Sequence, residues 1–203
     1  MSTVRALRGL APFEIACVLA VAVIALPETL PAGLPLLVVA SMSRWLRGRS
    51  WGEVLDGGAQ RAAIGAAAGA VAIAVAAPLY GAYDASSLAW WLAPVVRGGD
   101  VGQIALVLVV MVASEVAMEL AMRGWIVERA LELAPGSTVL PIFVGALAEA
   151  IVTPGPVAAR LGAALFGVGL GALHVAAARS VLAPIAARCA FVAGAVLVEV
   201  LAR

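Results

Sequence analysis

The chain is 203 residues long, 64% hydrophobic and only 12% charged, with a formal net charge of +1. A net charge near zero suggests no nucleic-acid partner, and a mean hydropathy of +1.09 excludes an ordinary soluble domain. Several apolar runs reach the roughly 20 residues that cross a bilayer as a helix. The fold class expected is therefore all-α, a polytopic transmembrane helix bundle of about seven spans, with the lipid bilayer as its surroundings.

Arg5 and Arg8 precede the first apolar run and imitate a signal peptide. More spans follow directly, and no clear small-residue cleavage site appears, so the run reads as the first span, near 11–27. Pro27, Glu28 and Pro31 mark a tight turn into a second span near 30–46. The polar stretch SRWLRGRSWGEVLDGGAQR carries Arg44, Arg47, Arg49 and Arg61, with tryptophans suited to a membrane interface. A third span follows near 62–80. The segment YDASSLAWWLAPVVRGGD, with Trp90 and Trp91, reads as an interfacial loop or short helix on the opposite side. The later spans fall near 102–122, 137–152, 158–177 and 181–201.

Arginine is the only fixed cation in the chain. Arg5, Arg8, the Arg44–Arg61 cluster, Arg129 and Arg179 share one side of the expected topology; Arg97, Arg160 and Arg203 share the other. The positive-inside rule then puts the N-terminus in the cytoplasm. The Ala-, Gly- and Val-rich composition suits a GC-rich bacterial genome, so the expected location is a bacterial inner membrane. Two regions are expected: 1–100, of N-terminal transmembrane helices and interfacial loops, and 101–203, a core carrying the intramembrane polar site. The glycines of GAAAGAVAIAVAA and RLGAALFGVGLGAL are expected to let helices approach closely. Cys17 and Cys189 read as small buried hydrophobes, and Glu14 calls for an arginine partner on a neighbouring helix.

The run ASEVAMELAMRGWIVERA places Glu115, Glu119 and Arg123 four residues apart, on one face of a helix. Ionisable groups inside a span are costly and usually functional. The fourth span is expected to continue as one helix from about Ile104 to Leu133. Glu119 then lies roughly 20 Å from Glu132, well inside the bilayer. The APGST turn ends that helix, with Ser137 or Thr138 able to cap the next. Glu149 lies roughly 18 Å beyond Ser137, so Glu119 and Glu149 should reach similar depth on antiparallel helices. His174 lies about 8 Å before Arg179, and Arg188 about 12 Å after Ser180, so these two can also approach. The expectation is a hydrated polar pocket, against the alternative of charge pairs that only lock helix register.

The stretch MELAMRGW resembles the first motif of the CAAX-protease and bacteriocin-processing family of intramembrane endopeptidases, Glu-Glu, three residues, then Arg, usually followed by Gly. Here Met118 stands at the first glutamate, Glu119 at the second and Arg123 at the arginine. SVLAPIAAR resembles the segment leading to the family's last motif, with Arg188 in place of its histidine and Val192 in place of its asparagine. The middle motif, a histidine four residues after a phenylalanine, aligns best with Gly145–Glu149, placing Glu149 at the histidine; alignment at Leu170–His174 leaves too few residues before Arg188.

The resemblance implies a glutamate that activates water beside donors that hold the peptide oxyanion. Glu119, Glu149 or Glu115, one turn from Met118, would supply the base. Arg188 would hold an oxyanion and not act as a base, and His174 would reach the third-motif position from its neighbouring helix. One histidine among carboxylates is thin for zinc, so no metal and no cofactor is expected. Three readings follow: a divergent glutamate-type endopeptidase of membrane-anchored proteins or peptides, among them C-terminal sorting tails as for myxosortase-like enzymes; an inactive family member that binds or escorts partners; and a small transporter.

Overall fold

A computed structural model describes residues 11–24, 33–80, 98–153 and 157–201. Arg5, Arg8, Arg97, Arg203, the 27–31 turn, Trp90, Trp91 and residues 154–156 lie outside the described residues. The described chain is an all-helical bundle. Its helices are α1 (Ala11–Ile24), α2 (Gly33–Leu46), α3 (Gly58–Tyr80), α4 (Val101–Leu133), α5 (Val139–Val152), α6 (Val157–Ala176) and α7 (Leu182–Leu201). Three of them, α3, α4 and α6, contain stretches long and apolar enough to cross a membrane. The chain is thus a multi-pass membrane-helix protein.

Local chemistry sets the helix ends. Asp100 caps α4 by accepting from the Gln103 backbone N–H at 2.8 Å, and the Gln103 side chain returns to the Asp100 N–H. Ser137 accepts from the Leu140 N–H at the start of α5, the cap expected there. α4 runs through to Leu133 as expected, but not as one regular helix. Residues Met122–Val127 form a π-helical segment, all of it buried. Such a segment inserts an extra residue into the turn and re-aims everything after it. Sequence spacing gives no sign of it.

Contacts between helices fix their directions. Glu14 of α1 meets Ser43 and Arg47 at the far end of α2, so these two run antiparallel. Gly33 lies against Ser114, and Ser43 against Trp125, so α2 and α4 run parallel. Gly167 and Gly171 of α6 face Ala146 and Ile142 of α5 in antiparallel order. Gly65 and Gly69 of α3 face Ala183 and Ala187 of α7 in parallel order. Glu119 and Gly124 of α4 meet Arg188 and Val181 in reverse order, and Arg123 and Glu128 meet Gly167 and His174 of α6 in the same order, so each helix points opposite to the one before it.

The glycines make this packing possible. A Cβ on Gly65 would stand 2.0 Å from the Ala183 carbonyl oxygen, and one on Gly69 2.0 Å from that of Ala187. Backbones this close gain dispersion and Cα–H···O contacts without side chains between them. The arginine-rich end is closed by a strap, residues 47–57, between α2 and α3. Its Trp51 packs against Gly124, and its Val54 carbonyl accepts from the Val181 N–H at 2.8 Å. Arg44, expected in the interfacial cluster, points inward instead. It is 2% exposed, donates to the Gly124 carbonyl at 2.9 Å and lies 4.7 Å over the Trp51 ring. Glu14 does find an arginine, Arg47.

Gly69→Val should lower stability by about 3 kcal/mol or more, because backbone rather than a movable side chain blocks the new atoms. Gly162→Ala, on an open face of α6, should hold or raise stability by up to about 1 kcal/mol. Thermal unfolding in detergent micelles compares the two directly.

Candidate functional site

Glu115, Glu119 and Arg123 line one face of α4 just before and into the π segment. The i,i+4 spacing survives there: Arg123 Nη1 donates to Glu119 Oε1 at 3.0 Å. Arg123 Nη2 reaches two further helices, donating to Glu149 Oε2 of α5 at 2.7 Å and to the Gly167 carbonyl of α6 at 2.9 Å. Glu119 and Arg123 are fully buried, and the Glu149 side chain is 3% exposed.

Arg188 enters from α7 and touches all three carboxylates. Its Nη1 donates to Glu115 Oε2 at 2.9 Å, its Nε to Glu119 Oε1, and its Nη2 to Glu149 Oε1. The Arg188 guanidinium carbon also stands 5.4 Å from the centre of the Phe166 ring. Two planar forks thus tie together α4, α5, α6 and α7. The expected equal depth of Glu119 and Glu149 is what the structure has, with Arg123 and Arg188 both between them.

One residue of this site carries no side chain. Gly167 supplies a carbonyl to Arg123, and a Cβ there would stand 2.9 Å from Glu149 Oε2. It was legible in the sequence only as one of several packing glycines. Glu119 Oε2 and Arg123 Nε are buried with no hydrogen-bond partner. Glu115 and Arg188 form the more open edge of the cluster, their side chains 24% and 11% exposed. Among the described residues, the carboxylates and guanidinium groups of the cluster bond chiefly to one another.

His174 makes its contacts elsewhere. Its Nδ1 lies 3.1 Å from the Ser180 carbonyl and its Nε2 3.6 Å from Glu128 Oε1, near the arginine-rich end of α4. The turn into α7 holds the ring at that end, so the expected approach to Arg188 is replaced by a contact with Glu128. Met118, at the first motif glutamate, packs on the apolar cluster that includes Leu36, Ala121, Met122 and Trp125. Glu115, one turn earlier, reaches the site instead. Among the described residues no three His, Cys, Asp or Glu side chains gather as a metal site would need.

Comparison with protein-family models, curated proteins and solved structures finds no match to this chain. The geometry therefore carries the functional reading together with the motif likeness alone.

Removing Arg188 takes the guanidinium from Glu115 and leaves Arg123 alone to serve Glu119 and Glu149. Arg188→Gln should destabilise the protein by about 3–5 kcal/mol, the cost of an uncompensated buried charge. Arg188→Lys should recover little, because an ammonium cannot span three carboxylates as a planar fork does. Unfolding of the purified variants in a denaturing-detergent titration measures both.

Proposed function

We propose that the chain is a divergent glutamate-type intramembrane endopeptidase of a bacterial inner membrane, acting on membrane-anchored proteins or peptides. One observation carries this reading. Glu119 and Arg123, the two residues that keep the first motif, meet Glu149 and Arg188, which stand at the histidine positions of the middle and last motifs, in one buried cluster. Alternating helix directions support seven crossings with the arginine-rich end in the cytoplasm.

In this reading the open edge is where chemistry begins. A peptide bond entering beside Glu115 breaks the Glu115–Arg188 contact. The carboxylate of Glu115, or of Glu119 behind it, takes a proton from water as the oxygen adds to the carbonyl carbon. Arg188 then faces the developing oxyanion. Collapse breaks the C–N bond, the held proton passes to the departing amine, and the products are a carboxylate and an amine. Arg123 keeps Glu119 and Glu149 in place throughout.

A second reading has its own observation. The two positions where the resembled family has histidines are occupied here by Glu149 and Arg188, which bond to each other. Mutual saturation of this kind suits a family member that has exchanged catalysis for a fixed internal brace and binds partners without cutting them.

Co-expression with tagged, membrane-anchored test proteins, including ones with C-terminal sorting tails, separates the two. For an endopeptidase, wild type yields a shorter tagged product, and Glu115→Gln and Glu119→Gln each cut the yield by about 10²-fold or more while the protein still accumulates. No product from wild type, together with co-purification of a test protein that survives both substitutions, supports the binding reading.

A further inference from the structure

The contact between His174 and Glu128 has a chemistry of its own. His174 is fully buried. Its Nδ1 faces the Ser180 carbonyl at 3.1 Å. A carbonyl only accepts, so Nδ1 must carry the hydrogen. That leaves Nε2 with a lone pair in the neutral ring, and 3.6 Å away stands Glu128 Oε1, which in a carboxylate also only accepts. Both atoms are buried, and neither has another hydrogen-bond partner. Two facing lone pairs in such surroundings repel, whereas one proton between them makes a charge-assisted bond.

The backbone beside this pair is strained. Ala178 and Arg179 both adopt left-handed conformations, with φ of 54° and 65°. Two consecutive non-glycine residues in that region are uncommon and persist only when surrounding contacts enforce them. The enforcing contacts converge here. Arg179 N–H donates to the His174 carbonyl at 2.9 Å, and Val181 N–H to the Val54 carbonyl at 2.8 Å. Ser180 Oγ accepts from the Leu182 N–H at 3.2 Å. This turn seats the first residues of α7, the helix that carries Arg188.

We propose that His174 and Glu128 form a proton-binding pair, with His174 fixed as its Nδ1–H tautomer, and that the shared proton latches the strained turn from which α7 presents Arg188. His174 is then a positioning residue acting through the 178–181 turn. The proposal stands on the geometry of the pair and does not rest on the endopeptidase reading. Of the charged groups around the pair, Arg179 on the turn and Arg49 on the strap act on Glu128, and Glu128 in turn acts on Arg44 of α2. All three are cations that face the acidic side of the pair.

The sequence has one histidine, so nitrogen-15 NMR of histidine-labelled full-length protein in bilayers reads His174 directly. The neutral ring is expected to carry its proton on Nδ1, and Nε2 to gain one as pH falls. A neutral ring protonated on Nε2 overturns the proposal. Hydrogen exchange gives the second measurement. Glu128→Gln removes the charged partner, while His174→Asn keeps a donor near the Nδ1 position and deletes the Nε2 arm. Each should speed amide exchange at Ser180–Leu182 by about tenfold and leave the middle of α5 unchanged. Unaltered exchange in both variants overturns the latch. Where either variant fails to accumulate, the wild-type spectrum decides by itself.

Discussion

Arg188 is the group on which the interior of this bundle depends. Three carboxylates from two helices point into a region that lipid, not water, surrounds. No such set of charges is tolerable in a low dielectric without cations placed among them. A planar guanidinium with donors on three sides can serve all three at once. Arg123 completes the arrangement from α4 itself and extends it to α6 through a backbone carbonyl. Helix register, helix order and the identity of the polar site are therefore one problem with one solution.

That solution needs close helices, and small residues provide them. Gly65 and Gly69 bring α3 against the backbone of α7 at Ala183 and Ala187, beside Arg188. Gly167 opens the space that Glu149 occupies. Between lipid-facing helices no hydrophobic gain favours association over contact with lipid, so packing and polar bonds do the holding. At the α5–α6 interface the two occur together, where Gly167 meets both Ala146 and Glu149. The π segment at Met122–Val127 belongs to the same design. It starts beside Arg123 and turns Gly124 toward Arg44 and Trp51, so the site and the strap meet at one irregular stretch of α4.

A second polar layer lies at the arginine-rich end. Glu14, Arg47, Glu132 and Arg129 link α1, α2 and α4 there. His174, Glu128 and the 178–181 turn join α4, α6 and α7 beside them. The mid-bundle cluster sets how deep the helices sit against one another. The end layer sets where their turns begin. Arg188, near the start of α7, feels both.

Much of this was legible in residue order. Long apolar runs, Pro and Gly breaks, and the cap at Ser137 gave the helices nearly their observed limits, because helix formation in lipid is a local requirement on backbone hydrogen bonds. Equal depth of Glu119 and Glu149 followed from helix rise alone. The partner of His174 did not. Two left-handed residues tie the end of α6 to the start of α7, and that tie holds the imidazole beside Glu128. Nor did the inward turn of Arg44, the π segment, the carbonyl of Gly167 or the face of Met118. These depend on which way a side chain points around a helix axis and on what a neighbouring helix leaves open. Sequence fixes position along an axis; only packed helices fix rotation about it.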